Sequence, residues 1–262
     1  MNNFIPDIRL LANGVAIHFA RNDNGDGTPV IFLHGYADSW MSFKQVLVEL
    51  PRGICSIAMD LRGHGDSDKP ASGYHMKDLT EDLVLFMDAL ELEKANIVGH
   101  SMGSFIAQSF AACHPRRIER LVLISSAPSA HDNAMLRELK PHIETLNDPI
   151  DRSFVRDFQT PSNPIPQEMM EMIISESMKV PAIVWRQALA GLLEVDNRPV
   201  LKNISAQTLI IWGNQDSIFT REDQEGLLSA IVDSKLVAYG AGHALHWEKP
   251  QELAADLADF LF

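Results

Sequence analysis

Short β-branched runs alternate with amphipathic stretches along most of this chain, and this alternation limits the possible folds more than any other feature. Most of the runs are continuously apolar, which is typical of strands that are covered on both faces. The alternation predicts an α/β fold with a mainly parallel, doubly wound central sheet flanked by helices. The predicted strands are 15–19, 29–33, 55–59, 95–98, 120–124, 207–212 and 235–239, and the predicted helices include 40–50, 78–90, 102–113, 221–230 and 251–260.

The alternation stops between residues 127 and 200. This stretch holds several prolines and helical segments such as 166–178 and 181–193, but no convincing strand. The prolines at the start of both segments suit the first turn of a helix, where a missing N–H removes no hydrogen bond. We therefore predict a core formed by residues 1–126 and 201–262, with 127–200 inserted as a helical cap over one end of the sheet.

Composition and charge exclude some classes of partner. The chain has 262 residues, 46% of them hydrophobic, which is enough for a full apolar core, and its net charge is −13. A surface this acidic argues against nucleic acid or an anionic membrane as a partner, because both require a basic patch. The expected partner is a small-molecule substrate, and we expect a monomer or a homodimer.

The ends and the cysteines suggest a compartment. The N-terminal residues lack the pattern of a signal peptide, and no run approaches the ~18 apolar residues of a membrane span, so a cytoplasmic protein is expected. Cys55 and Cys113 both lie in apolar runs. They are interpreted as buried free thiols rather than as a disulfide framework.

A candidate nucleophile lies in the segment GHSMG, residues 99–103, which matches the pattern G-x-S-x-G. The predicted strand 95–98 ends just before it, and a predicted helix begins immediately after Ser101. This strand–turn–helix context is typical of a nucleophile elbow, in which glycines allow a tight turn that exposes the serine hydroxyl. We therefore predict that Ser101 is a catalytic nucleophile.

A serine hydroxyl is a poor nucleophile unless a base removes its proton, and the chain offers ten histidines. His243 follows the last predicted strand in a glycine-flanked loop that can present an imidazole across the top of the sheet. It is the predicted base. Nearby, His246 is interpreted as a packing or supporting residue, and His100 is expected to pack away from the serine beside it.

An acid must then fix the tautomer of the histidine and stabilise its charged form. Asp216 follows the predicted strand 207–212 through a short glycine-containing loop, at the edge where His243 emerges. It is the predicted acid. Asp60 also follows a strand, but we expect it to pair with Arg62 and Asp66 and to brace a turn.

The tetrahedral intermediate of acyl transfer needs preorganised donors for its oxyanion. The first is predicted to be the backbone N–H of Met102, directly after the nucleophile. The second is predicted to be the backbone N–H of Tyr36, in the loop His34-Gly35-Tyr36 after the strand 29–33.

Over essentially its whole length the sequence resembles the α/β-hydrolase superfamily. The matching segments, in the family's order, are HGYADSW, DLRGHGDSDKP, GHSMGS, WGNQD and GHALHWEKP. The order Ser101, Asp216, His243 is also the family's order for its catalytic triad. The resemblance implies that no metal and no organic cofactor is needed. Ser104 departs from the glycine that many relatives carry, and a serine nucleophile argues against the dehalogenase and epoxide-hydrolase branches.

The predicted cap supplies large apolar side chains, most of which are expected to pack on the core. Some, with Tyr36, are predicted to line an apolar acyl or alcohol site. The pocket candidates are Trp40, Met169, Ile173 and Trp185. Arg152 and Arg186 are alternatives of another kind, since either would bind a substrate carboxylate, although such residues more often form surface ion pairs.

These features predict a serine hydrolase that cleaves a small to medium, hydrophobic carboxylic ester or lactone through an acyl-enzyme. Three alternatives use the same fold and triad. They are a carbon–carbon hydrolase of the meta-cleavage type, a cofactor-free haloperoxidase or perhydrolase, and a slow-turnover receptor or signalling protein. Fold-level resemblance does not choose among them.

Overall fold

The computed structural model describes residues 4–22, 25 and 27–262. One sheet of eight strands runs through it in the order β1-β2-β4-β3-β5-β6-β7-β8. β1 and β2 pair antiparallel, as do β2 and β4, and all other neighbours pair in parallel. The mainly parallel sheet is therefore confirmed. The strands are β1 Ile5–Leu10, β2 Ala16–Arg21, β3 Val30–Leu33, β4 Ser56–Met59, β5 Ala95–His100, β6 Ile118–Ile124, β7 Gln207–Gly213 and β8 Ser234–Tyr239.

The first strand was not predicted from the sequence. β1 is an edge strand, and its apolar residues Ile5, Ile8 and Leu10 are more than half exposed. They alternate irregularly with Pro6 and charged residues, so no apolar run marks the strand. Proline is tolerated at the edge of a sheet, where one side of the strand makes no ladder hydrogen bonds.

Helices cover both faces of the sheet. The helices are α1 Lys44–Glu49, α2 Met76–Ala89, α3 Met102–Cys113, α4 Ala134–Glu144, α5 Arg152–Gln159, α6 Gln167–Ser177, α7 Ala182–Glu194, α8 Arg221–Ala230, α9 Leu245–Glu248 and α10 Pro250–Leu261, with single 3-10 turns at Trp40–Phe43 and Leu201–Asn203.

The apolar core is divided between the two faces by the alternation of side chains along each strand. In β3, Ile31 and Leu33 join the cluster under α2, α3 and α8, whereas Val30 and Phe32 join the cluster under α1 and α10. Successive strand residues point to opposite faces, so a strand covered on both sides is apolar throughout. This is why the predicted strands appeared as continuous apolar runs.

Four helices, α4 to α7, lie between β6 and β7 in the chain. Their apolar side chains, including Val155, Ile174 and Trp185, belong to the same cluster as those of α2 and α3. A short antiparallel bridge joins Ser129 to Asp196 near the two ends of this segment. The segment therefore packs on one face and end of the sheet. We keep the name cap for residues 127–200, whose status as a separate unit stays a prediction.

Two further observations concern the surface. Cys113 is exposed and Cys55 is partly buried, so the prediction of two buried thiols is wrong. Cys113 is the last residue of α3, beyond the buried contacts made by Phe110 and Ala111. Among the helices in the described part of the chain, none is both long and apolar enough to cross a membrane.

Candidate active site

Ser101 lies at a sharp turn between β5 and α3. Its backbone has φ 49° and ψ −117°, a left-handed conformation that is strained for a non-glycine residue. Glycine is required on both sides of the turn. A Cβ atom on Gly99 would lie 2.4 Å from the Gly103 carbonyl oxygen, and one on Gly103 would lie 2.3 Å from the Leu33 carbonyl oxygen. The sequence therefore forces the serine out at the beginning of α3.

A chain of hydrogen bonds joins the three predicted catalytic residues. The Ser101 Oγ lies 2.9 Å from the Nε2 atom of His243, whose Nδ1 atom lies 2.8 Å from Asp216 Oδ2. Each residue follows the carboxyl end of a parallel strand, β5, β7 or β8. The three side chains thus converge where the carboxyl ends of the parallel strands meet, as ligand-binding residues of open α/β sheets do. This end of the sheet is called the sheet edge below.

The environment of Asp216 keeps its carboxyl group ionised. Burial opposes ionisation, but the adjacent His243 and two backbone donors outweigh it, so the pKa of Asp216 lies below its usual value. The donors are the N–H groups of Ile218, at 2.8 Å, and Phe219, at 3.1 Å, and both bind Oδ1. Oδ2 is left for the imidazole. An ionised carboxylate here holds the proton on Nδ1 of His243 and leaves Nε2 as the acceptor toward serine.

The backbone of His243 is held from two sides. Its carbonyl oxygen accepts hydrogen bonds from Ser125 Oγ at 2.7 Å and from His100 Nε2 at 3.1 Å. Burial lowers the pKa of His100 to about 3, so the ring is neutral and carries the donated proton on Nε2. His246 packs against His100, with ring centroids 4.1 Å apart. The sequence predicted packing for His100 but gave no sign that it fixes the loop of His243.

The loop of Tyr36 lies against Ser101. His34 is buried and bridges the loop, because its Nδ1 atom lies 2.7 Å from the Gly35 carbonyl oxygen and its Nε2 atom accepts from the Leu61 N–H. A Cβ atom on Gly35 would lie 2.9 Å from His100 Nδ1 and 3.3 Å from the Cβ atom of Ser101, so glycine lets the loop come this close without a shift of its neighbours. This contact places Tyr36 beside the serine. On the other side, Met102 is the first residue of α3 and its N–H has no partner within the helix.

The cap holds the same loop through two hydrogen bonds. The hydroxyl of Tyr36 donates to the Trp185 carbonyl oxygen of α7 at 2.6 Å. Gln159 of α5 donates from Nε2 to the Ala37 carbonyl oxygen at 3.0 Å and to Ser177 Oγ of α6 at 2.7 Å. Ala37 has φ 55°, which is uncommon for a residue with a side chain. Two cap helices, α5 and α7, therefore hold a strained loop in place, and α6 helps to fix the Gln159 side chain.

Ser101 and His243 open into a cavity of about 410 Å³ between the sheet edge and the cap. Its wall is largely apolar and comes from α4, α5, α7, α9, the segment after α5, and the loops after β3, β5, β7 and β8. Within the described residues, no lysine or arginine lines it. The lining residues are Gly35, Tyr36, Asp38, His100, Ser101, Met135, Leu136, Leu139, Asp157, Phe158, Gln159, Thr160, Pro161, Ser162, Leu192, Ser217, Ile218, His243, Ala244 and Trp247.

None of the four pocket candidates chosen from the sequence is among the residues that line this cavity. Trp40 packs on Phe4. Met169 and Ile173 pack behind Trp247 and Ala244. Trp185 is fully buried, with its ring 5.2 Å from that of Tyr36.

The apolar lining comes instead from a cap helix that the sequence analysis did not identify. Leu136 and Leu139 of α4 line the cavity, together with Phe158 of α5. Leu136, Leu139 and Ile143 are spaced at three and four residues, so helical periodicity was the available signal for this face.

Asp60, the rival acid, lies away from the Ser101–His243–Asp216 chain. Its carboxylate accepts from His18 at 2.7 Å and from the N–H groups of Trp40 and Asp66. It braces a turn, as expected, but Arg62 pairs with Asp82 instead, at 2.6 and 2.5 Å. Burial opposes ionisation of Asp60, yet the His18 hydrogen bond and these donors hold its pKa below the usual value.

Potential ligand atoms for a metal ion come together at one place in the described residues. Atoms of His18, Asp60 and Asp66 lie within 4.8 Å of one another. His18 is already bonded to Asp60, and the Asp66 carboxylate pairs with Lys179 at 2.9 Å. This group is part of the turn brace, not of the cavity wall.

Ser104, in the first turn of α3, stabilises the turn at Ser101. Its hydroxyl donates to the Ser101 carbonyl oxygen at 2.6 Å and contacts Ser126 Oγ, which also accepts from Gln108. All four side chains are buried. A glycine at position 104 would lack these hydrogen bonds, so the departure from the familiar motif is accommodated by a local polar network.

Residues 28–181 match the family model described as the alpha/beta hydrolase fold. This match covers more than half of the chain and agrees with the sheet order and the elbow described above. The chain belongs to the α/β-hydrolase family.

Similar proteins carry different activities. The chain is 27% identical to a 2-hydroxymuconate semialdehyde hydrolase of a Pseudomonas strain, over 98% of this chain and 94% of that protein. It is 28% identical to 3-oxoadipate enol-lactonase 2 of Acinetobacter baylyi, over 92% and 91% of the two chains. An esterase structure from Exiguobacterium antarcticum matches with a TM-score of 0.86 at 24% identity, over 100% and 99% of the chains. That last likeness shows the fold alone.

Proposed function

We propose that this protein is a serine hydrolase that cleaves an uncharged carboxylic ester or lactone through an acyl-enzyme. The observation that carries the proposal is the hydrogen-bonded chain from Ser101 through His243 to Asp216, with the serine hydroxyl at the wall of an apolar cavity. Metal or cofactor chemistry is not needed for this reaction, because the base and the nucleophile are both side chains of the protein.

In the first half of the proposed reaction, Ser101 Oγ attacks the carbonyl carbon while His243 Nε2 takes its proton. The N–H groups of Tyr36 and Met102 stabilise the negative oxygen of the tetrahedral intermediate. The imidazolium then gives its proton to the leaving oxygen as the carbon–oxygen bond breaks. In the second half a water molecule attacks the acyl-enzyme, His243 takes its proton, and that proton returns to Ser101 as the acid leaves.

The cavity favours a small to medium, mainly apolar substrate. A volume of about 410 Å³ lies at the lower end of the usual range for ligand pockets. Leu136, Leu139, Phe158 and Leu192 offer apolar surface to an acyl chain or an alcohol group. Ligand affinity would come chiefly from removing this surface from water.

The second candidate is carbon–carbon hydrolysis, because one relative is a 2-hydroxymuconate semialdehyde hydrolase. The two arginines that would hold a substrate carboxylate are engaged elsewhere. Arg152 pairs with Glu171, Arg186 donates to the Leu146 carbonyl oxygen, and neither lines the cavity. A carboxylate without a basic partner in this cavity would remain uncompensated. The apolar, cation-free lining therefore favours ester or lactone cleavage over carbon–carbon hydrolysis of an acid.

The proposal is tested by assaying one panel with the parent protein and Ser101→Ala. The panel contains p-nitrophenyl esters of short and long acids, uncharged lactones, a vinylogous 1,5-diketone acid, and acetate with hydrogen peroxide. We expect ester or lactone hydrolysis that falls by about 10⁴-fold or more in the variant, with an unchanged circular dichroism spectrum. Equal hydrolysis by both proteins would falsify the nucleophile assignment.

The same panel decides among the alternatives. Turnover of the diketone acid alone would establish carbon–carbon hydrolysis, and peracetic acid as the main product would establish perhydrolysis. A single burst of p-nitrophenol with no further turnover would indicate a receptor-like protein that retains its acyl product.

A further inference from the structure

The cavity wall contains a buried acidic residue that the proposed hydrolysis does not use. Asp38 lies between the Tyr36 loop and the 3-10 turn Trp40–Phe43, lines the cavity and is only 3% exposed. The Ser39 N–H donates to its Oδ1 atom at 2.8 Å. Asp38 takes no part in the hydrogen-bonded chain that ends at Asp216. The proposed reaction therefore does not explain why a buried carboxyl group lies in the cavity wall.

The surroundings of Asp38 disfavour its ionised form. Burial raises its pKa to about 7, and the negative charges of Asp60 in the core and Glu176 on α6 act in the same direction. The Ser39 N–H and the nearby Ser42 hydroxyl oppose this shift. Folding therefore works against an ionised carboxylate at this position, and such costly groups are concentrated at functional sites.

The charges around the cavity point to one class of ligand group. Across the lining as described, the acidic residues are Asp38 and Asp157, and there is no lysine or arginine. A ligand carboxylate would face these groups without a cation, which is unfavourable in a partly dehydrated cavity. A hydroxyl or ammonium group would instead donate a charge-assisted hydrogen bond to a carboxylate.

We propose that Asp38 is a specificity-determining residue, whose carboxyl group accepts a hydrogen bond from a hydroxyl or ammonium substituent of the substrate and excludes a carboxylate. The proposal rests on the ester or lactone hydrolysis proposed above and names its substrate class. The competing role for Asp38 is a local brace of its loop. Asparagine at this position keeps the Oδ1 acceptor for Ser39 and removes only the charge, so Asp38→Asn separates the two roles.

The test uses four ethyl esters that differ only at the far end of the acid: ethyl hexanoate, ethyl 6-hydroxyhexanoate, ethyl 6-aminohexanoate and monoethyl adipate. An eight-carbon set of the same four end groups covers a longer reach from Ser101. Release of ethanol gives kcat/KM at pH 8.5, above the pKa of about 7 for Asp38, so that its carboxyl is ionised. The hydroxy and amino esters distinguish the two kinds of donor.

We expect the parent protein to prefer a donor-bearing ester over the plain one by about fivefold, and to disfavour the carboxylate ester by about tenfold or more. In Asp38→Asn, the ratio of amino ester to carboxylate ester should fall by about tenfold, while kcat/KM for ethyl hexanoate changes less than about threefold. Asp38→Ser, a second uncharged variant, should show the same change. Glu168→Gln is the matched control, because Glu168 of α6 is exposed and does not line the cavity.

Two results would overturn the inference. The first is an equal shift of all four esters in both uncharged variants, which identifies Asp38 as a brace. The second is a parent protein that hydrolyses ethyl hexanoate but does not discriminate among the end groups. If the parent hydrolyses no ester or lactone at all, the proposed function itself fails, and the inference about Asp38 fails with it. Thermal unfolding of each variant confirms that the compared proteins are folded.

Discussion

The sheet edge and the cap differ in how strongly local sequence determines their geometry. At the sheet edge, Ser101, Asp216 and His243 each follow a parallel strand, and the ends of parallel strands necessarily meet. In the cap, the lining of the cavity depends on how each of four helices is rotated about its axis. The position of residues at strand ends can therefore be predicted from chain order, whereas the side chains that form a pocket wall of packed helices cannot.

The largest effect is expected at the sheet edge, where Asp216→Asn should lower kcat by about 10³- to 10⁴-fold. The amide removes the charge that stabilises the imidazolium and favours the wrong tautomer of His243. Steady-state hydrolysis of a p-nitrophenyl ester measures the loss. The matched control is Asp60→Asn, which affects the turn brace and should retain most turnover. The reverse pattern would transfer the acid role to Asp60.

Much of the core follows from the sequence because its signals are local. Apolar runs mark the strands buried on both faces, and the glycines around Ser101 mark the elbow. The edge strand Ile5–Leu10 was not predicted, because its residues are partly or largely exposed and do not form an apolar run. The role of His100 in fixing the His243 loop was missed for another reason. Its hydrogen bond to the His243 carbonyl oxygen joins segments that are far apart in the chain.

In the cap the helices 166–178 and 181–193 were predicted, but the helix α4 and the faces that line the cavity were not. Met169 and Ile173 have helical spacing and large apolar side chains, yet this face packs on Trp247 behind the cavity. Leu136 and Leu139 have the same kind of spacing and line the cavity. Periodicity identifies an apolar face but not the surface that the face covers. Only the packing of the helices distinguishes the two cases.

The second-largest effect concerns stability at the junction of the two regions. The folded-state pKa of Asp38 is raised to about 7 from 3.8, so its stabilising contribution is complete below about pH 4 and is lost as the pH rises through 7. Because asparagine does not ionise, Asp38→Asn removes this loss of stability with rising pH. We expect the stability of the variant relative to the parent to increase by about 2–3 kcal/mol between pH 5 and pH 8.5.

Urea unfolding of both proteins at the two pH values measures this difference. Asp157→Asn, which removes a carboxylate at an exposed position, is measured alongside as the control. A constant difference between Asp38→Asn and the parent across the range would mean that the Asp38 carboxyl has an ordinary pKa.

A third, smaller effect tests whether the cap assists the sheet edge. Gln159→Ala releases the Ala37 carbonyl oxygen, and Tyr36→Phe removes the hydrogen bond to Trp185. Each should lower kcat by about tenfold with little change in KM, because a looser loop stabilises the oxyanion less well while the leucine and phenylalanine side chains of the wall stay in place. Gln187→Ala is the control, since Gln187 of α7 bonds to Ala71 outside the loop. A change confined to KM would show that the loop only contributes to the pocket wall.

The smallest effect separates the lining of the cavity from the layer behind it. Leu139→Ala removes apolar surface from the wall, so KM for a hexanoate ester should rise by about three- to fivefold, corresponding to about 1 kcal/mol of lost burial. Met169→Ala, at a position that the sequence predicted to lie in the pocket, should leave KM unchanged because that side chain packs in the cluster with Trp247 and does not line the cavity. Comparing acetate with hexanoate esters sharpens the test, since a short acyl group need not reach Leu139. If Met169→Ala raised KM and Leu139→Ala did not, the face of α6 would be the wall, and the sequence-based choice would be correct after all.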